Sequence, residues 1–572
     1  MKHTKHLGAV LLALVLALAL AVPALASGGA VSAAAVAPTA VTLTEVAEGD
    51  TVSAYRLVEY TDASYNSYKY HDSFRTWMLN LTTETELDNY FSSLTPSNVD
   101  FLLGNYVAHC NSPTNGVPVL PAVYRSETAD ATERVTMSLE PGYYLFLVST
   151  TANNSRIYRA TSVFVQVKDG NVNVYAGEGK NKLTGPSYEV ALKHAAAPEV
   201  EKTVWDNTTT ITPAWRSAAA GTVGEVMNFC LAINVPIYTN VVNLPVFKLT
   251  DVLDGFQYVE GSAKVYTAVN GLTYTSEVAD AISNTTAGAY DETTGEQTVT
   301  FDLNYLKIKG SAVSSVTVYL TYQATMMPAA VKTDRAVLSA ADATVYNYAE
   351  NTARLTYSTS LDPTQIDSDA STARVFTYSM KLDKLSTDKD ALGAYKPLDG
   401  AQFTVYPTEA DAESDVNALK FVLDGAYYRP ATAAEIAAGT GVVVALDASF
   451  LIKGLDVGHY YLVETTVPSG YYAPKGAFHV DLVSHRDGDV INGKLGVSTV
   501  VAVKSGSDTL LINTSAVDAA NVNQFNWSLL NSSSPILPTT GGIGTTVFTV
   551  VGVALMAAAV WLFFFRKRGE KN

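Results

Sequence analysis

Sulfur is scarce: the 572 residues hold two cysteines. Cys110 sits beside a loop-like stretch, and Cys230 lies inside an apolar run, Val226 to Val235, in what reads as another domain. A bridge between them is not expected, so any covalent bracing must use other chemistry. Histidine is scarce too, at eight, and two of these (His3 and His6) fall within the first six residues. No His-Glu-x-x-His, metal-spaced His/Cys cluster or Gly-x-Ser-x-Gly elbow occurs, which argues against a surface enzyme. Neither a metal nor a cofactor is expected. The net charge of −17 argues against nucleic acid and anionic membrane surfaces as partners. Helical periodicity is rare, with two short candidates near Glu84–Ser93 and Ala431–Ala438.

What is abundant favours strands: 33 tyrosines, with many valines and threonines, in short alternating runs broken by Gly, Asn, Asp and Pro. The pattern predicts an all-β chain of tandem Ig-like β-sandwich domains. Lys2, His3, Lys5 and His6 precede an apolar stretch, and Ala24-Leu25-Ala26 offers a cleavage site, so residues 1–26 read as a secretory signal. Residues 27–40 are Ala-, Gly- and Ser-rich and read as a flexible arm. The first domain is placed at 41–192, with strands over Val52–Tyr60, Gly142–Ser149 and Ser162–Val167. The second is placed at 199–358, a polar linker at 359–373, and the third domain at 374–534.

In a strand, alternate side chains share a face. Lys202 shares parity with Val200 and Val204; Lys384 shares it with Phe376, Tyr378, Met380 and Leu382. Lys381 falls on the other face with Thr377, Ser379 and Asp383. Lys202 and Lys384 are therefore predicted to point inward, where an unpaired ammonium is costly and tends to lose its proton. Acids follow suit: Asp251 aligns with Phe247 and Leu249, and Glu464 with Tyr460 and Leu462. Late asparagines do the same, Asn351 with Ala353, Leu355 and Tyr357, and Asn531 with Trp527 and Leu529. Each of these two domains thus offers an inward lysine, acid and asparagine, in that order. Asn513, in Leu510-Leu511-Ile512-Asn513-Thr514, is the alternative to Asn531. No comparable set stands out in the first domain, and no cross-link is predicted there.

At the C-terminal end, Leu537-Pro538-Thr539-Thr540-Gly541 precedes an uncharged run from Gly544 to Phe565 and then Arg566-Lys567-Arg568. The run is long enough to cross a bilayer as a helix, with the basic residues on the cytoplasmic side. The three-part segment, 537–572, resembles the sorting signal of Gram-positive surface proteins. The resemblance implies cleavage by a sortase transpeptidase between Thr540 and Gly541 and transfer of the Thr540 carbonyl to an amine. The precursor alone would be held in the membrane.

A second resemblance covers nearly the whole mature chain. Leu462-Val463-Glu464-Thr465-Thr466-Val467-Pro468-Ser469-Gly470-Tyr471 and Leu398-Asp399-Gly400-Ala401-Gln402-Phe403 resemble the collagen-binding-protein B-type domains of Gram-positive pilins. Phe247 to Leu253 and Asn351 to Ser358 resemble the middle domain of major backbone pilins. The resemblance implies isopeptide bonds Lys202–Asn351, assisted by Asp251, and Lys384–Asn531, assisted by Glu464. It also implies a surface pilus shaft joined to other copies, to ancillary pilins and to peptidoglycan, through a lysine near the end of the first domain. Lys193 is the candidate, and Lys180 and Lys182 are its rivals, because the Tyr-Pro-Lys form of the family is missing here. A monomeric wall-anchored adhesin for a host ligand is the alternative; the lack of a large extra adhesion domain favours the shaft.

Overall fold

The computed structural model describes residues 36–61, 68–79, 106, 120–150, 156–158, 160–168, 171–176, 182–183, 185, 187–208, 212–238, 245–312, 315–331, 346–358, 365–473, 476–503, 511–533 and 543–566. The secretory signal, the Glu84–Ser93 helix candidate, Cys110, Lys180 and Leu537-Pro538-Thr539-Thr540-Gly541 lie outside these residues. The chain divides into two compact units, one of Met1–Thr150 with Tyr158–Lys193, the other of Thr151–Ile157 with His194–Asn572.

The first unit is a β-sandwich. A three-stranded sheet places Thr39–Thr44 between Tyr188–Ala191, in parallel, and Arg134–Leu139. The larger sheet centres on Thr51–Tyr60, Gly142–Ser149 and Thr161–Lys168, within a residue of the strands read from alternation. Val41, Leu43, Met137, Tyr144, Phe146 and Val163 fill the space between them.

The second unit covers the residues read as the second and third domains. One sheet of the second domain runs Ala214–Arg216, Val200–Asp206, Val226–Val235, Val316–Met326, Lys264–Asn270 and Thr273–Glu277. The facing sheet runs Ile282–Ala287, Glu296–Leu303, Phe247–Asp254 and Asn347–Tyr357. Valine, leucine and phenylalanine alternate inward from both, giving a dry core of Phe229, Leu231, Leu249, Val299, Phe301 and Leu320.

Next to Asn347–Tyr357 lies a 19-residue strand, Ser371–Lys389. Its first seven residues pair with the last strand of the second domain, from Ala353↔Ser371 to Asn347↔Thr377. Beyond that it enters the third domain, pairing Phe450–Leu455 on one side and, in parallel, Gln524–Asn531 on the other. The expected boundary at 373/374 thus falls inside a continuous strand. The polar residues Ser371 and Thr372 read as linker, yet their backbone groups complete a sheet edge that would otherwise be unpaired. Thr377 and Ser379, on the face opposite Lys384, are buried as well. Facing this sheet is a second one of Ala445–Leu446, Gln402–Tyr406, Gly458–Thr466, Phe478–Leu482 and Thr499–Ala502. The helix near 431–438 is present as Ala433–Ala438, capped by Thr432 and Glu435 and closed by Gly439 in the left-handed region.

A hairpin of the third domain, Ser484–Asp487 with Val490–Leu495, fastens the junction. Gly493 has φ 83°, and a Cβ there would lie 2.6 Å from Phe376 Cε1, so only glycine fits. Arg486 donates to the fully buried Asp206 Oδ2 at 2.9 Å and also bonds Thr208 Oγ1. Arg216 lies 3.6 Å from the same carboxylate.

The C-terminal helix, Ile543–Arg566, covers the expected apolar run. Its side chains are described for 549–562, and among the described residues no helix is long and apolar enough to cross a membrane. The crossing by residues 544–565 therefore rests on the sequence.

Replacing Arg486 by Met is expected to lower stability by about 2 kcal/mol. This is less than the ~3–5 kcal/mol of a wholly stranded buried charge, because Arg216 stays. Calorimetry of the two proteins measures it; unchanged unfolding would show that the Arg486–Asp206 contact does not hold the junction.

Candidate functional site: two buried lysine–acid–asparagine clusters

Strand parity delivers six side chains to two places. In the second domain Lys202 is 2 % exposed, and Asp251 and Asn351 are both 0 %. Lys202 comes from one sheet, on Val200–Asp206; Asp251 and Asn351 come from adjacent strands of the other. Asp251 is paired with Ala353 and Asn351 with Leu253, which makes the acid and the carboxamide diagonal neighbours. Lys202 Nζ donates to Asp251 Oδ1 at 2.5 Å and also to Oδ2. The ammonium lies 5.5 Å from the Phe229 ring and 5.3 Å from the Tyr322 ring, within a wall of aromatic side chains. Burial pulls the Lys202 amine down to about 8, against the opposing pull of Asp251.

A fourth residue belongs to this cluster and was not found by parity. The Tyr322 hydroxyl accepts from Lys202 Nζ at 3.0 Å and from Asn351 Nδ2 at 2.6 Å, and donates to Asp251 Oδ2 at 2.6 Å. Burial and the neighbouring Asp251 carboxylate hold its phenol well above the ordinary tyrosine range. Among the described residues none gives a hydrogen bond to the buried Asn351 Oδ1. Tyr322 sits in the inward row Val318, Leu320, Tyr322, Ala324 and Met326. Among 33 tyrosines it reads as core filling. The available signal was that a phenol in an otherwise apolar row needs a polar partner.

The third domain takes its lysine and asparagine from neighbouring strands and its acid from the facing sheet. Lys384 and Asn531 are both 0 % exposed, and Lys384 is in register with Leu529 on the parallel final strand, two residues from Asn531. Lys384 Nζ lies 2.5 Å from Asn531 Oδ1 and 3.5 Å from Glu464 Oε2, while Asn531 Nδ2 donates to Glu464 Oε1 at 2.7 Å. Burial brings Lys384 to about 8 and raises Glu464 above the usual carboxylate range, although Lys384 and Asn531 pull the acid the other way. Asn513 is exposed and donates to Ser528 Oγ. The structure thus brings Asn531, and not Asn513, to Lys384.

In both places an amine, a carboxylate and a carboxamide meet in a dry interior. Cys230 is a free, buried thiol whose pKa burial raises to about 12. Lys193 and Lys182 are both exposed, so exposure does not separate them. Among the described residues no group of three or more His, Cys, Asp or Glu could hold a metal.

Residues 531–571 match the family described as the LPXTG cell wall anchor motif. The chain thus carries a Gram-positive wall anchor and is a protein of the cell surface. No curated protein matches it. Among solved structures it is similar to the T6 backbone pilin of serotype M6 Streptococcus pyogenes, at 14% identity over 88% of this chain and 100% of that one, with a TM-score of 0.48. It is also similar to the major pilin SpaD of Corynebacterium diphtheriae, at 13% identity over 87% of this chain and 98% of that one, with a TM-score of 0.45. The major pilin SpaA of the same organism matches at 13% identity over 86% of this chain and 100% of that one, with a TM-score of 0.41.

A lysine whose pKa falls from 10.5 unfolded to about 8 folded binds fewer protons in the native state between those values. Its desolvation penalty is complete below pH 8 and is relieved as pH rises toward 10.5. Asn351→Ala, which cannot cross-link, is therefore expected to gain stability across that window relative to Lys202→Met/Asn351→Ala. Urea unfolding at several pH values measures the difference; a pH-independent difference would contradict a depressed lysine.

Proposed function

We propose that this chain is the structural subunit of a covalent surface fibre, a pilus shaft, in which two of three sandwiches are locked by Lys–Asn isopeptide bonds. The observation that carries the reading is the Lys384–Glu464–Asn531 cluster. It joins the first and last strands of the domain that precedes the wall anchor, with Nζ 2.5 Å from the carboxamide oxygen. The Lys202–Asp251–Asn351 cluster supports a second bond, between the two sheets of its domain.

The chemistry follows from desolvation. Burial lowers the lysine pKa, so the ammonium gives up its proton more readily, and the neutral amine is a nucleophile. Nζ attacks Cγ of the asparagine, ammonia leaves with the former Cγ–Nδ2 electron pair, and an amide remains. Asp251 and Glu464 take the amine proton and return a proton to the leaving nitrogen. Positioning replaces a bimolecular encounter, so each site turns over once and the protein is a substrate of its own chemistry rather than an enzyme. The bonds would close spans of 149 (351 − 202) and 147 (531 − 384) positions. On the chain-entropy model each contributes about 5 kcal/mol.

A sortase would cut after Thr540 and join it to a lysine of the next subunit, with Lys193 as the candidate and Lys182 and Lys180 as rivals, or to peptidoglycan at the fibre base. Immunoblots of wall extracts should show a high-mass ladder that Lys193→Ala collapses. A single band from the unaltered protein would point instead to a monomeric adhesin. Intact-mass measurement should find the mature chain lighter than its formula by two ammonia molecules, and by one in Lys202→Ala or Lys384→Ala. An unaltered chain at full formula mass would end the cross-link reading.

A further inference from the structure

We propose that Tyr322 is a catalytic proton relay for the second-domain bond, carrying a proton between Asp251 and the leaving nitrogen of Asn351. This inference rests on the isopeptide reading above. The two clusters differ in the acid, aspartate in one and glutamate in the other. In the third domain Glu464 reaches the carboxamide nitrogen directly, at 2.7 Å. In the second domain the nitrogen reaches the Tyr322 hydroxyl at 2.6 Å, and that hydroxyl reaches Asp251 Oδ2 at 2.6 Å. The phenol makes up the reach that the shorter acid lacks.

Atoms and charges balance through the relay. Lys202 gives a proton to Asp251, and the neutral Nζ forms a bond to Asn351 Cγ while the carbonyl pair moves to Oδ1. Nδ2 becomes tetrahedral and gains a basic lone pair, so its hydrogen bond to Tyr322 reverses. Tyr322 gives its proton to Nδ2 and recovers one from Asp251, while Asp251 receives the second proton of Nζ. The Cγ–Nδ2 bond breaks, its electron pair leaves with ammonia, and the carbonyl reforms. Ammonium, carboxylate and carboxamide become amide, carboxylic acid and ammonia. A phenol that resists ionisation, as burial makes Tyr322, passes protons without holding charge.

The test uses the full mature chain. Tyr322→Phe should form the Lys202–Asn351 bond at least about 100-fold more slowly, the lower range for loss of a general acid. Lys384–Asn531 should form normally and reports a folded chain. Adding Asp251→Glu to Tyr322→Phe should restore the bond, because the longer acid reaches Nδ2 as Glu464 does; a purely structural phenol would not be replaced this way. Full cross-linking of Tyr322→Phe at the earliest sampled time overturns the relay, as does failure of the Glu rescue in a chain whose second domain is folded by circular dichroism. If the unaltered chain lacks the bond, the isopeptide reading fails first.

Strand register carries a second inference, which rests on both bonds. We infer that the ladder between Asn347–Tyr357 and Ser371–Lys389 is a force-release element. Tension entering at Lys202 would pass to Asn351 and leave again through Lys384 and Asn531. Between Asn351 and Lys384 it crosses non-covalent contacts, chiefly the seven-residue antiparallel ladder, loaded in shear. Glu350–Arg374 at 2.8 Å and Thr352–Thr372 at 2.9 Å brace it. Asn351 is in register with Ala373, so shearing frees 373 − 351 = 22 residues. At ~3.4 Å per residue, less one strand spacing, this is about 70 Å.

Pulling the mature chain by its ends should give one step of about 70 Å, apart from the much longer step of the first domain. A Glu350→Cys/Arg374→Cys disulfide should abolish it. A step that survives the disulfide, or none before rupture, overturns the inference, whereas unravelling of the whole second domain would mean that its isopeptide bond is missing.

Discussion

An ammonium cannot rest in a dry interior without a partner, and the second unit is built around two that are held there. Lys202 and Lys384 are each enclosed by strands whose other inward residues are mostly aliphatic or aromatic. The nearest carboxylate offsets part of the desolvation, but a buried ion pair is seldom better than neutral groups of the same shape. Conversion of amine and carboxamide into an amide removes one of the charges for good. The proposed chemistry would therefore relieve a cost that folding creates, with no outside catalyst.

The two clusters are assembled differently. In the third domain, lysine and asparagine lie on parallel neighbours of one sheet and the acid descends from the facing sheet. In the second, the lysine comes from one sheet and the acid and asparagine from the other, with Tyr322 between them. The first bond would tie strands that already pair; the second would rivet two layers. Ser371–Lys389 runs through both domains, so both clusters lie in one continuous scaffold.

Much of this was legible because strand side chains alternate strictly. Parity alone placed Lys202, Asp251, Asn351, Lys384, Glu464 and Asn531 inside, and the structure buries all six side chains. Asn531 is preferred in the sequence for its place just before Leu537, and tertiary pairing puts the final strand, not Asn513, beside Lys384. Tyr322 was hidden by its own type, since an inward aromatic is ordinary core material until its hydroxyl is traced. The bridging strand was hidden by composition, since Ser371 and Thr372 resemble linker residues and their strand state is imposed by Asn347–Tyr357. The short helices Tyr305–Lys309 and Glu409–Ser414 give too few turns for a periodic signal.

The most direct measurement is mass-spectrometric mapping of peptides from the protease-digested mature protein. The account predicts two branched peptides, one joining Lys202 to Asn351 and the other joining Lys384 to Asn531. Recovery of only linear peptides, with all four side chains free, would contradict it.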